Sequence, residues 1–221
     1  MDIFDIANDR VNRITRYFRR NEGTTDYATI PAVTLSGGFE ISIYASLQSM
    51  AAASVMLGDA ANLAWFRINT DGSIQVKGAG ASSVTAAGIV VDDKVFRLYN
   101  FKRTGSSIEL RINESLVHTF TGYTGDMAFN RIYQKANTNY FPGTIANLSI
   151  VDAGALVRSY PINEPSGTTT FDEVSGQDGA IVLGSDDDRG LFQEVARGGN
   201  WQGSSLVVPP WDSANQILVV A

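Results

Sequence analysis

Two kinds of chemistry would leave a mark on this chain: hydrolysis by paired carboxylates, and recognition of sugars by exposed rings. Glycoside cleavage needs two carboxyl groups about 5 to 10 Å apart across the scissile bond. On a single strand the pair must sit an even number of residues apart, because side chains alternate between faces. Glu109 and Glu114 are an odd number apart, and Glu40 is followed by Ile-Ser-Ile, so neither offers such a pair. The one histidine, His118, would have to serve any Ser-His-Asp triad, and no G-x-S-x-G elbow exists. There is no cysteine, which excludes disulfides, thiol nucleophiles and cysteine-bound metals. Gly78-Ala-Gly80 lacks the third glycine of a dinucleotide loop. The chain therefore reads as non-enzymatic.

Rings that could stack on a sugar are Trp65, Tyr99, Tyr123, Tyr133, Tyr140 and Trp201. Most aromatic residues of a β domain belong to its core. Tyr123 lies between Gly122 and Gly125, and Tyr140 follows Asn137-Thr-Asn139. Both settings are polar loops, so the expected ligand contacts are Tyr123, Asn137, Asn139 and Tyr140. No cofactor is expected, and calcium is the one ion worth testing. Asp186, Asp187 and Asp188 with Gly190 resemble an EF-hand start, but the last ligand position falls on Ala196. An irregular loop site using Asp59, Asp126 or Asp152 stays open.

These residues need a scaffold, and the composition supplies one. The 221 residues are 44% hydrophobic and 18% charged, which suits one globular domain with appendages. The net charge of -6, with no basic stripe, argues against a nucleic-acid partner. No apolar run approaches the roughly 20 residues of a membrane span. The first residues, MDIFDIANDR, are charged and do not read as a signal peptide.

Phe4, Ala7, Val11, Ile14 and Phe18 follow a heptad spacing that predicts a helix over about residues 1–20. Such a helix docks on its own domain or joins copies of the chain; the strict spacing favours the second, a homo-oligomer and most simply a trimer. From there to about residue 160 the pattern alternates as in β-sheet. Asp71-Gly72 and Thr104-Gly105 mark hairpin turns. Residues 49–55 fit either a helical turn or a tightly packed strand. The strand after Gly143 places Ala146, Leu148 and Ile150 on one face and Ile145 and Val151 on the other, with Gly143 permitting close approach to a neighbour. The expected architecture is all-β, a two-sheet antiparallel sandwich. It divides into an N-terminal oligomerisation or attachment helix (1–22), the sandwich (23–185) and a C-terminal extension (186–221). That extension ends in apolar runs that pack on the domain or on a neighbouring subunit.

Four places carry a family likeness: Tyr27-Ala-Thr-Ile-Pro with Leu35 to Ile43; Phe96 to Asn113; Phe141-Pro-Gly143-Thr-Ile145 with Leu148-Ser-Ile150-Val-Asp152; and Tyr160-Pro-Ile-Asn-Glu164 with Asp172 to Gly176. The chain resembles the concanavalin A-like, laminin-G-like jelly-roll domains, in particular those of bacteriophage tail fibre and virion proteins, over roughly residues 25–185. The resemblance implies a jelly roll and a virion component, assembled in the host cytoplasm beside other virion proteins, that binds host surface glycan. A capsid decoration or collar protein, and a free lectin or carbohydrate-active enzyme, are the alternatives it leaves open.

Overall fold

Phe39, Ile41, Ile43 and Ala45 alternate with Glu40, Ser42 and Tyr44, and the first set is buried while the second is half-buried. Such strands need a second apolar surface to cover them. The computed structural model describes residues 15–21, 27–78, 80–136, 138–162, 168–182 and 192–196. It supplies that second surface as a second sheet. The strands are β1 (Thr15–Asn21), β2 (Tyr27–Leu35), β3 (Phe39–Leu47), β4 (Ser54–Gly58), β5 (Trp65–Ile68), β6 (Ile74–Gly78), β7 (Ala81–Val84) and β8 (Arg97–Thr104). They continue as β9 (Ser107–Ile112), β10 (Ser115–Thr121), β11 (Met127–Ile132), β12 (Gly143–Asp152), β13 (Ala155–Tyr160), β14 (Thr169–Thr170), β15 (Gly179–Val182) and β16 (Phe192–Ala196).

Sheet A runs β10-β9-β8-β3-β12-β1-β16, with β13 also paired to β12. Sheet B runs β14-β15-β2-β11-β4-β5-β6-β7. The described pairings are all antiparallel. Among the described residues there is no helix. Phe66 of sheet B holds the two layers together: its ring stacks on Phe101 of sheet A at 4.0 Å and on Phe129 of its own sheet at 5.2 Å. All three rings are fully buried, and each contributes about 1.5–3 kcal/mol by leaving water.

Three sequence expectations change here. First, Thr15–Asn21 is strand, so the expected helix does not run to residue 20, and Phe18 lies on β1. The residues Thr-Arg-Tyr-Phe suit a strand, and β12 has an edge along Gly143–Ile145 that β1 pairs. Phe4, Ala7, Val11 and Ile14 lie outside the described residues. Second, β16, from the segment read as an extension, pairs with β1 and adds a strand to sheet A. Third, β12 has a bulge between Ile145 and Asn147. The extra residue shifts the alternation, so Ile145 joins Leu148 and Ile150 in the core and Ala146 does not.

Two buried polar anchors shape the loops. Arg103 is 5% exposed and donates to the carbonyls of Gly105, Gly125 and Tyr123, which pins the 122–126 turn to the β8–β9 turn. Asp172 accepts from the Ser159 and Val174 amides and the Ser175 hydroxyl, and pairs with Arg158 at 3.7 Å. Burial opposes ionisation of Asp172, but those donors outweigh it and hold its carboxyl below the usual range. This network closes the loop after β13 onto the sandwich.

Candidate functional site

The outer face of sheet B is built by register. Arg131 pairs with Gly58, Gly58 with Trp65, and Trp65 with Lys77. These four positions form one row across β11, β4, β5 and β6, and all project away from the core. With strands about 4.8 Å apart, the row spans about 14 Å. In the next row Val55 pairs with Arg67, and Arg67 with Gln75. Trp65 and Val55 are buried yet stand outside the main core cluster, because the outer face of sheet B is itself partly covered.

The cover is the segment after β11. Gly58 permits it: a Cβ at that position would sit 2.7 Å from the Gln134 carbonyl oxygen and 2.9 Å from the Lys135 Cβ. The segment therefore lies directly over β4. The Tyr133 amide donates to Met56, and the Ala136 amide to Asp59. This placement swings Lys135 over Trp65, with its Nζ 3.6 Å from the ring centroid. The Lys77 Nζ is 4.3 Å from the same centroid, and the Arg67 guanidinium 5.9 Å. Each contact is a cation on the negative face of an indole.

The 59–64 turn fixes these cations from one side. Asp59 Oδ1 accepts from the Leu63 and Ala64 amides, and Asn62 adopts a left-handed φ of 61°. Asn62 then offers two acceptors: its Oδ1 takes a bond from Lys135 at 2.8 Å, and its carbonyl takes one from Lys77 at 3.1 Å. Lys135 is only 7% exposed. Burial, then the charges of Arg67 and Lys77, push its ammonium below the usual lysine value, while Asp59 acts in the other direction. Burial likewise lowers Arg67.

Several polar atoms here, four donors and one acceptor, have no partner within the protein. Trp65 Nε1, Arg67 Nε, Arg131 Nε and both amide atoms of Gln134 are buried and unpaired. They account for five of the eight such side-chain atoms among the described residues, so the unmet hydrogen-bonding capacity is concentrated in one place. At the Arg131 end of the row the guanidinium lies 5.1 Å from the Tyr27 ring, and Tyr140 packs against Tyr27 at 6.4 Å between centroids. All three are half-exposed. The site is thus a row with a tyrosine pair at one end and a cation-ringed tryptophan at the other.

The outer face of sheet A offers a different surface. Glu40, Ser42, Leu98, Asn100, Arg111 and Glu114 line a shallow pocket of about 280 Å³. Its polar groups satisfy one another: Asn100 donates to Glu40 and Ser42, Glu40 pairs with Lys102 at 3.4 Å, and Arg111 pairs with Glu109 at 3.1 Å. A surface already paired offers a ligand less than one with unmet donors.

No family profile matches the chain. No curated protein matches it either. Among solved structures it is similar to a candidate carbohydrate binding protein from Bacteroides ovatus, with a TM-score of 0.61 and 10% identity. The fold is a jelly-roll sandwich. The aligned region covers 76% of this chain and 58% of that one, so the chain spans little more than half the length of that relative. Domains LG4-5 of the mouse laminin alpha1 chain align with a TM-score of 0.48 and 6% identity, over 63% of this chain and 42% of that one. The carbohydrate binding module CBM66 from Bacillus subtilis aligns with a TM-score of 0.41 and 15% identity, over 60% of this chain and 84% of that one.

The residues expected from the sequence fall in different places. Tyr123 is corrected outright: it is 0% exposed, its ring is in the core, and its hydroxyl donates to the Val76 carbonyl at 2.8 Å. Flanking glycines made it look like a loop tip, but Arg103 draws that turn inward. Asn139 is committed to scaffold, donating to the Ala53 carbonyl while its own carbonyl accepts from Val55. Tyr140 lies beside Tyr27 on the outer face of sheet B. Asn137 lies outside the described residues, between Ala136 and Thr138 of the segment that carries Lys135. His118 stands in β10 against Phe120 at 4.7 Å. Among the described residues no three His, Cys, Asp or Glu side chains converge as metal ligands. The cations Arg67, Lys77, Arg131 and Lys135 escaped the sequence reading. A hairpin centred on Asp71 pairs Trp65 with Lys77 and Arg67 with Gln75, so half of the cluster had a sequence signal. Lys135 arrives from a distant loop and had none.

Proposed function

We propose that this jelly roll is a non-enzymatic glycan-binding domain that uses the outer face of sheet B. The observation that carries the reading is the outer face of sheet B, where the half-buried Tyr27–Tyr140 pair stands beside the unpaired buried donors of the row Arg131–Gly58–Trp65–Lys77. Sugars are held by this combination, with a ring under the apolar face of the pyranose and fixed donors for its hydroxyls. The fold-level likeness to a candidate carbohydrate binding protein supports the same class of ligand. Glu40 and Glu109 each engage a cation on sheet A, which supports a structural rather than a hydrolytic role for them.

The sequence resemblance supports placing the domain on a virion appendage, where it would bind host glycan as a homotrimer. The spacing of Phe4, Ala7, Val11 and Ile14 supports the joining of copies, without Phe18, which belongs to β1.

A glycan array read with the full chain tests the binding. A retained glycan should lose about tenfold in affinity with Tyr140→Ala, as expected for an aromatic contact near the centre of an interface. If no glycan is retained, or if Tyr140→Ala and Arg131→Ala leave affinity unchanged, the reading is wrong.

A further inference from the structure

We propose that the cation-ringed Trp65 is an oxyanion subsite, so that the glycan is an acidic one presenting a carboxylate or a sulfate; this rests on the glycan-binding reading above. Four of the chain's 17 Lys and Arg residues, Arg67, Lys77, Arg131 and Lys135, stand on this one face of a protein whose net charge is -6. None of them makes an ion pair with a carboxylate among the described residues. Four cations elsewhere do pair with carboxylates, while the buried Arg103 instead donates to three backbone carbonyls. Arg97 pairs with Asp93, Lys102 with Glu40, Arg111 with Glu109 and Arg158 with Asp172.

The arrangement is costly without an anion. Lys135 is 7% exposed and has one neutral acceptor, Asn62 Oδ1, while Lys77 and Arg67 share its aromatic ring. Burial lowers its ammonium first, the charges of Arg67 and Lys77 lower it further, and Asp59 only partly offsets them. A buried ammonium beside two half-buried cations is relieved by an opposite charge far more than by a neutral acceptor. A sugar hydroxyl would satisfy one N–H and leave the repulsion in place. An oxyanion would accept from the two ammonium groups and from Trp65 Nε1 or Arg67 Nε, both buried and unpaired. The half-exposed Tyr27–Tyr140 pair at the far end of the row provides a stacking surface for the rest of a chain of sugars. Arg131 lies between the two ends. A free small anion would use the Trp65 end alone, whereas an acidic oligosaccharide uses both.

The test is titration calorimetry on the full chain with matched probes. Oligogalacturonate is set against galacto-oligosaccharide, and a heparin-derived tetrasaccharide against its desulfated, decarboxylated counterpart. A single-stranded DNA oligonucleotide serves as a polyanion control. At least one acidic probe should bind about tenfold or more tighter than its neutral partner. The carboxylate and sulfate arms distinguish the two sources of charge. The combined Lys77→Gln and Lys135→Gln variant should reduce that preference to about twofold or less. Should that variant fail to fold, the wild-type chain still decides. Raising salt from about 50 mM to about 500 mM should weaken the acidic arm and leave a neutral arm unmoved. Equal affinity for acidic and neutral partners overturns the oxyanion subsite and leaves glycan binding standing. Sodium sulfate is titrated alongside them, and heat of sulfate binding with no oligosaccharide retained overturns the glycan reading instead. DNA bound as tightly as the best acidic sugar overturns the assignment to glycan.

Discussion

Replacing Gly143 by alanine should cost the domain about 3 kcal/mol, the upper end for an overpacked site. Gly143 opens β12 and pairs with Leu47 across the ladder to β3. An added Cβ would overlap the Ser46 carbonyl oxygen, with a ring carbon of Phe141 at 2.7 Å and the Leu47 Cα at 3.2 Å. The carbonyl and the Cα are backbone of a buried central strand, so neither can swing aside as a side chain would. β12 has β3 on one side and β1 and β13 on the other, and a shift at its start is felt by all of them. The check is the urea midpoint of Gly143→Ala against the unaltered chain. A loss under about 1 kcal/mol, an ordinary surface effect, would show that the two strands are not held this closely.

Gly58→Ala should give the opposite profile. Here the added Cβ meets the Gln134 carbonyl oxygen at 2.7 Å, the Lys135 Cβ at 2.9 Å and the Val55 Cγ1 at 3.1 Å. The first two belong to a segment lying on top of the sheet, and that segment can lift. Stability should fall by only about 1–2 kcal/mol. Glycan affinity should fall by about tenfold or more, because lifting the segment takes Lys135 off Trp65 and Tyr140 away from Tyr27. Calorimetry and urea denaturation on the same sample separate the two effects. A Gly58→Ala chain that binds as well as the original would mean that Lys135 and its segment do not form the site.

The contrast between these glycines says what was legible in the chain. Gly143 sits in a strand pattern, Phe-Pro-Gly-Thr-Ile, and a glycine inside a strand reads as close backbone approach. Its role was visible without coordinates. So were the hairpins at Asp71-Gly72 and Thr104-Gly105, because turn chemistry is local. The bulge in β12 was not visible. Ala146 and Ile145 are both apolar, so the alternation could not show which of them faces the core. Tyr123 misled for a related reason. Glycines on either side suggest an exposed tip, but the turn is pulled in by Arg103, twenty residues earlier in the chain. Long-range anchors of this kind leave no local signature. The site itself was half legible. Trp65 and Lys77 are related through one hairpin, whereas Lys135 reaches them only because Gly58 leaves room above β4.

Glycan binding on the outer face of sheet B is tested most directly by the indole N–H resonance of Trp65. Trp201→Phe and Trp211→Phe variants assign it, since the chain has three tryptophans. On titration with a retained oligosaccharide, the Trp65 indole signal should shift together with the backbone amides of Arg67, Lys77 and Lys135, while those of Ser42 and Asn100 on sheet A stay in place. Shifts confined to Ser42, Asn100 and Arg111, with the Trp65 indole unmoved, would contradict it and put the ligand on the other sheet.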